Sequence, residues 1–173
     1  MTLLYWIIAF VIAQRLLELL IANYNTRRLL AAGGCEHGAR HYLIIVALHV
    51  AWIASLVIFV PSEQPANTPL IILFFLLQLG RVWVIASLGA RWTTRIISLP
   101  GQPLVKRGPY RWIKHPNYVV VVLEILILPL AFDAWQMAVI FSVLNAGILY
   151  HRIRVENAVL ADASVPQPPN HPQ

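Results

Sequence analysis

Between residues 107 and 118 the chain reads Arg-Gly-Pro-Tyr-Arg-Trp-Ile-Lys-His-Pro-Asn-Tyr. This density of polar chemistry runs straight into the apolar stretch Val119 to Phe132, and beside lipid it is costly unless it serves a purpose. The residue types suit the binding of an anion. Pro116 fits the first turn of a helix, where its missing N–H costs nothing. His115 and Tyr118 then straddle that helix's N-terminus, whose free amides and dipole favour a carboxylate. A second group, His151-Arg152-Ile153-Arg154-Val155-Glu156-Asn157, follows a later apolar run. If helical, Arg152 and Glu156 share a face at i and i+4, which taken alone is an ordinary helix-surface pair. A basic loop with aromatic anchors would explain the Lys and Arg content and Trp112. It would not explain His115-Pro116 joined to Gly108-Pro109-Tyr110.

Ionisable residues also fall inside the apolar runs. Glu124 lies two turns into the run that begins at Tyr118. Arg81 and Gln78 stand at i and i+3, as do Arg15 and Glu18. Such groups are rare in membranes and are paired or face a cavity. Arg15 and Glu18 read as a self-contained structural pair. Glu124 has no opposite charge on its own segment, so it needs a partner such as Arg81 or is kept protonated by desolvation. It is a candidate both for packing and for a site. His49 reads as a satisfied core histidine. His37 and His41 are four apart, but no carboxylate or cysteine cluster completes a site, and no metal is expected. There is no phosphate loop, dinucleotide glycine pattern or Gly-x-Ser-x-Gly elbow. The single cysteine, Cys35, excludes an internal disulfide and reads as a buried or interfacial thiol.

The elements that carry these residues follow from composition. The 173 residues are 59% hydrophobic and 12% charged, where a soluble domain would be about one quarter charged. An all-α integral membrane protein is expected, with residues 1–163 as one domain. Crossing the hydrocarbon core takes about 20 apolar residues in a helix. Five spans are predicted, at 3–22, 42–60, 69–88, 118–131 and 134–150. The first, beginning Leu3-Leu4-Tyr5-Trp6-Ile7 with no basic segment before it, reads as a retained span and not a cleaved signal. The fourth is short and interrupted by Pro129, and Phe132-Asp133 joins it to the fifth as a tight hairpin. The long connection Gly89 to Pro116 carries turn signals at Leu99-Pro100-Gly101-Gln102-Pro103 and Gly108-Pro109, with a short interfacial helix expected over Tyr110 to Lys114. The proline-rich segment 164–173 is expected to be disordered.

Charge predicts orientation. Arg27, Arg28 and Arg40 follow the first span. Arg91, Arg95, Lys106, Arg107, Arg111 and Lys114 follow the third, and Arg152 and Arg154 follow the fifth. The connections 61–68 and 132–133 contain neither Lys nor Arg. Five crossings place all the basic segments on one side, which the positive-inside rule makes cytoplasmic, with the N-terminus outside and the C-terminus inside. The net charge of +6 is therefore juxtamembrane, and no nucleic-acid partner is expected. Tyr5, Trp6, Trp112 and Trp135 read as interfacial anchors.

Gly108-Pro109-Tyr110, Lys114-His115-Pro116-Asn117-Tyr118, the apolar helix, the short hairpin and Arg152…Glu156 together resemble the isoprenylcysteine carboxyl methyltransferase family over about residues 89 to 160. The wider relatives include membrane phospholipid methyltransferases. The resemblance implies an S-adenosylmethionine-dependent enzyme whose cofactor binds at the cytoplasmic ends of the last helices. It implies cofactor contacts from the backbone around Tyr110 and from His115, Asn117, Tyr118, Arg152 and Glu156. The chain departs from the family's usual pattern in having Lys114 for an arginine, and Asn157 for the second of two glutamates. Small bacterial-type members with a stretch like Arg91-Trp92-Thr93-Thr94-Arg95, and a glutamate after His-Pro-Asn-Tyr, look like enzymes that O-methylate lipidic polyketides such as alkylpyrones or alkylresorcinols. That likeness implies a bacterial inner-membrane protein with a lipophilic acceptor entering from the bilayer, and places Arg81, Trp92 and Arg95 on the acceptor side. A carboxylate acceptor needs no base, whereas a hydroxyl benefits from one, and Glu124 or His115 could serve. Phospholipid N-methylation stays open, as does a non-enzymatic membrane scaffold or small transporter. The last would leave the His-Pro-Asn-Tyr junction without a purpose.

Overall fold

The computed structural model describes residues 2–99 and 105–163; the turn around Pro100 to Pro103 and the proline-rich segment 164–173 lie outside them. Five helices carry the fold: α1 (Leu3–Ala31), α2 (Ala39–Phe59), α3 (Thr68–Leu88), α4 (Pro116–Leu130) and α5 (Trp135–Ala163). Four of them, all but α4, contain segments long and apolar enough to cross a membrane. Their lipid-grade residues point outward: Leu16, Leu17, Leu20, Ile58, Leu79, Val82 and Val143 are all exposed. In water that surface would be untenable, and in a bilayer it is the solvent-facing surface. The chain is thus a mostly helical, multi-pass membrane protein.

Two helices run past their apolar segments. α1 continues to Ala31 and α5 to Ala163, well beyond the predicted span ends at 22 and 150. Hydropathy marks the edge of the hydrocarbon and not the end of a helix. Arg27, Arg28 and Leu30 are good helix formers and carry α1 onward until Gly33, with φ +88°, turns the chain.

The expected all-α description also needs an addition. Two three-residue strands, β1 (Cys35–His37) and β2 (Ile96–Ser98), pair antiparallel, with Glu36 opposite Ile97. They tie the α1–α2 connection to the α3–α4 connection. His37 lies in β1 and His41 in the first turn of α2. Cys35 is exposed, which removes the buried alternative of its reading.

α4 packs between α3 and α5, and α2 packs on α5. At the end of the bundle away from the basic loops, a dry core joins Leu4, Ile7 and Val11 of α1, Trp52 and Leu56 of α2, Phe74 of α3, and Ile125, Leu128 and Phe132. The hairpin between α4 and α5 turns there, at Asp133, with φ +57°. The Asn67 N–H donates to the Ala131 carbonyl at 2.7 Å, which sets the last turn of α4 level with the start of α3.

That register has a consequence for the other end. α3 has 21 residues and α4 has 15, so at 1.5 Å per residue α4 stops roughly 9 Å short of where α3 ends. The N-terminus of α4 is recessed. The 3-10 turn Gly108–Arg111, instead of the expected helix over 110–114, fills the gap. It docks on α3 at Gly108, where φ is +56° and an added Cβ would lie 2.1 Å from Ser87 Oγ. Arg107 Nε donates to the Ser87 carbonyl at 2.6 Å, and Trp112 packs against Trp83 with ring centroids 6.2 Å apart.

Candidate functional site

The recessed end of α4 starts as its sequence suggests. His115 is the cap residue with φ −128° and ψ 64°, and Pro116 and Asn117 open the helix. Pro116 disfavours helical geometry for His115, and its non-helical backbone lets the imidazole turn toward α5. His115 stacks on Tyr118 one turn later, ring centroids 5.3 Å apart and 18° from parallel.

α5 supplies the other side. Tyr118 donates its phenol proton to Glu156 Oε2 at 2.5 Å and accepts from Arg152 Nε at 2.8 Å. Arg152 also donates from Nη2 to the Thr94 carbonyl at 2.6 Å, and its guanidinium carbon lies 5.8 Å from the Tyr118 ring centre. His115 Nε2 is 3.3 Å from Asn157 Oδ1, and Nδ1 is 3.5 Å from Glu156 Oε2. With the amide oxygen accepting, Nε2 carries the proton. Asn157, the departure from two glutamates, thus holds His115 without adding charge. Tyr110, in the 3-10 turn, is partly buried, and burial with the nearby Glu156 carboxylate raises its phenol well above the usual value. Arg152 is 9% exposed. His115, Tyr118, Arg152 and Glu156 therefore interlock as one cluster, through contacts between residues 34 to 41 positions apart.

Three observations fit this cluster to a ligand with a carboxylate, an amine and an aromatic base. It presents a cation, Arg152, and an anion, Glu156, side by side. It brings the rings of His115 and Tyr118 together, with Tyr110 close enough to feel the Glu156 charge. Asn117 Oδ1 is buried without a hydrogen-bond partner, and a buried acceptor left unpaired is costly unless something donates to it. Among the described residues no three His, Cys, Asp or Glu side chains gather as metal ligands would.

Deeper in the bundle lies a second polar layer. Glu18 accepts from Arg15 Nη1 at 2.8 Å and Arg81 Nη2 at 2.7 Å, and Arg81 Nε also bonds it. Glu124 Oε2 accepts from Arg15 Nη2 at 2.6 Å and Arg81 Nη1 at 3.1 Å. Arg15 and Glu18 are not the self-contained pair their spacing suggested. They open into a neutral set of two cations and two anions that joins α1, α3 and α4. Glu124 is 1% exposed, and its other oxygen, Oε1, has no partner. The Gln14 and Gln78 amide oxygens in the same layer are also buried and unpaired. By helix rise, Glu124 lies roughly 9 Å below Tyr118. His49 Nδ1 donates to the Ile45 carbonyl at 2.8 Å, as a satisfied core histidine does.

The structure separates the remaining expected residues. Trp92 is 2% exposed, with its carbonyl accepting from Asn25 Nδ2 at 2.8 Å. Arg95, expected on the acceptor side, grips Glu36 through Nη1 at 2.9 and 3.0 Å and lies 5.0 Å from the Tyr42 ring centre. The residues that sequence reasoning missed are Thr94, whose backbone fixes Arg152, and Asn25 and Glu36, which hold the Thr94 segment. Nothing in their local sequence marks them, because each acts through a contact across more than 50 positions.

The isoprenylcysteine carboxyl methyltransferase (ICMT) family matches residues 70–162, which carry α3, α4 and most of α5. Uncharacterized protein YpbQ of Bacillus subtilis is 41% identical over 166 residues, covering 93% of this chain and 99% of that protein. An uncharacterized protein of Haemophilus influenzae is 25% identical over 159 residues, covering 88% and 92%. No solved structure matches.

Proposed function

The chain belongs to the isoprenylcysteine carboxyl methyltransferase family, and from that premise we propose that it is an S-adenosylmethionine-dependent enzyme methylating an oxygen of a lipophilic acceptor. The observation that carries this reading is the cluster of His115, Tyr118, Arg152 and Glu156 at the recessed start of α4. When bound, the cofactor supplies an electrophilic methyl group on a sulfonium.

The protein's own residues have three tasks. Arg152 and the first-turn amides of α4 hold the cofactor's carboxylate. Glu156 and the unpaired Asn117 Oδ1 accept from its amine or hydroxyls. Tyr110, Tyr118 and His115 offer ring faces to the adenine and the cationic sulfur. Because α4 is short, these groups sit below the level of the neighbouring helix end. A lipophilic acceptor then reaches them without leaving the bilayer, and proximity in a water-poor cleft provides most of the acceleration.

Glu124 faces the acceptor side with Oε1 as the free oxygen. Two guanidiniums hold its other oxygen, so Arg81 and Arg15 fix the carboxylate in place. A hydroxyl acceptor, such as the enol of an alkylpyrone or the phenol of an alkylresorcinol, would donate to Oε1, and Glu124 then serves as base. His115 is the second candidate for that role. A carboxylate acceptor, such as a prenylcysteine, would need neither. The basic loops support a cytoplasmic cofactor site, with the N-terminus outside.

Calorimetry of detergent-purified protein with S-adenosylhomocysteine tests the cofactor assignment. Binding at micromolar concentration is expected, and no binding at high micromolar concentration would remove the methyltransferase reading. A screen of labelled methyl transfer to alkylpyrones, alkylresorcinols, prenylcysteines and phosphatidylethanolamine then decides the acceptor. Transfer to the ethanolamine nitrogen alone would overturn the oxygen assignment.

A further inference from the structure

The segment from Gly89 to Ser98 is held from three directions. Asn25 on α1 donates to the carbonyls of Gly89 and Trp92 at 3.2 and 2.8 Å. On β1, Glu36 grips Arg95 with both carboxylate oxygens, and His37 Nε2 bonds Ser98 Oγ at 2.8 Å. On α5, Arg152 takes the Thr94 carbonyl at 2.6 Å. Thr94 thus lies two residues before the paired strand β2, and its carbonyl supports the guanidinium of the cofactor cluster. Arg152 has two of its donors committed, one to Tyr118 and one to Thr94, and these set the plane of the fork.

The Glu36–Arg95 pair is poorly placed to serve stability alone. Its side chains are part-buried, 20% and 34% exposed, and a pair that keeps this much contact with water contributes little to folding. It sits instead where it controls the position of one carbonyl, immediately preceding Arg95 in the chain. Glu36, His37 and Asn25 also lie outside the residues matched to the family, 70–162.

We infer that Glu36 is a positioning residue for the cofactor site: through Arg95 it holds the Thr94 carbonyl that orients Arg152. The inference rests on the reading of Arg152 as a cofactor ligand. The N-terminal half of the chain then contributes to cofactor affinity without touching the cofactor.

The test is S-adenosylhomocysteine titration of the full-length protein and of E36Q, R152Q, E36Q/R152Q and the charge-swapped E36R/R95E, together with steady-state kinetics. E36Q is expected to weaken binding roughly fivefold, the scale of coupling within one network, and to raise the KM for the cofactor while leaving that for the acceptor. The swap is expected to regain most of the loss. In the R152Q background, E36Q should cost nothing further. Wild-type affinity in E36Q, or losses that multiply in the double variant, would overturn the positioning role. Should E36Q fail to accumulate, R95K replaces it, with a partial loss expected and unchanged binding counting against the inference. No binding by the wild type strikes the cofactor assignment itself, and this inference with it.

Discussion

Single side chains carry most of the proposed chemistry, and Tyr118 is the hinge among them. Its hydroxyl accepts from Arg152 and donates to Glu156, so one oxygen aligns a cation and an anion. Tyr118→Phe keeps the ring but removes both bonds. It should weaken S-adenosylhomocysteine binding about tenfold or more in calorimetry, since hydrogen bonds to charged groups contribute about 1.5–3 kcal/mol each. Glu124 separates two roles. Glu124→Gln keeps the shape and one acceptor oxygen for the guanidiniums but loses the charge and no longer takes a proton. For a hydroxyl acceptor, turnover is expected to be lost in the membrane-inserted protein while cofactor binding is retained, and full turnover would exclude the base role. Glu124→Leu leaves Arg81 and Arg15 sharing one carboxylate in a buried layer. It should destabilise the protein by about 3–5 kcal/mol, read as a lower melting temperature in detergent.

Elements decide where those side chains meet. The shortness of α4 recesses the site, and the turn Gly108–Arg111 seals it against α3. Gly108→Ala puts a methyl into Ser87 Oγ at a positive φ, so the turn should lift from α3. Lower melting temperature and weaker S-adenosylhomocysteine binding together are expected, with Ser87→Gly partly restoring both. The residues predicted much of this scale. Pro116 after His115 marks a helix start because proline fits the first turn and restricts the residue before it. The apolar runs locate the helices within the bilayer. What could not be read there depends on distant partners. β1 and β2 are three residues each, and Cys-Glu-His has no strand pattern to display. Arg95 carries no mark that its partner is Glu36, 59 positions earlier. The Arg15–Glu18 spacing satisfies a local pairing rule, which concealed the links to α3 and α4.

At the scale of the molecule, three layers stack along the bundle: a dry core at one end, a neutral ionic layer, and the cofactor cluster beside the basic loops. The orientation proposed from charge has a built-in reporter in Cys35, the one cysteine of the chain, which is exposed on β1. A membrane-impermeant maleimide should label it in bacterial spheroplasts only after permeabilisation, and ready labelling of intact spheroplasts would invert the topology. The ionic layer also bears on how the protein is made. α1 reaches the membrane first carrying Arg15 and Glu18, whose charges cancel, so it can wait in lipid alone. α3 follows with the lone cation Arg81, and α4 brings the lone anion Glu124 last. Until Glu124 arrives, the nascent bundle holds one unmatched positive charge in the hydrocarbon. Release from the insertion machinery is therefore favoured only once α4 has been synthesised, so the charges that join the helices also set the moment at which they can leave it.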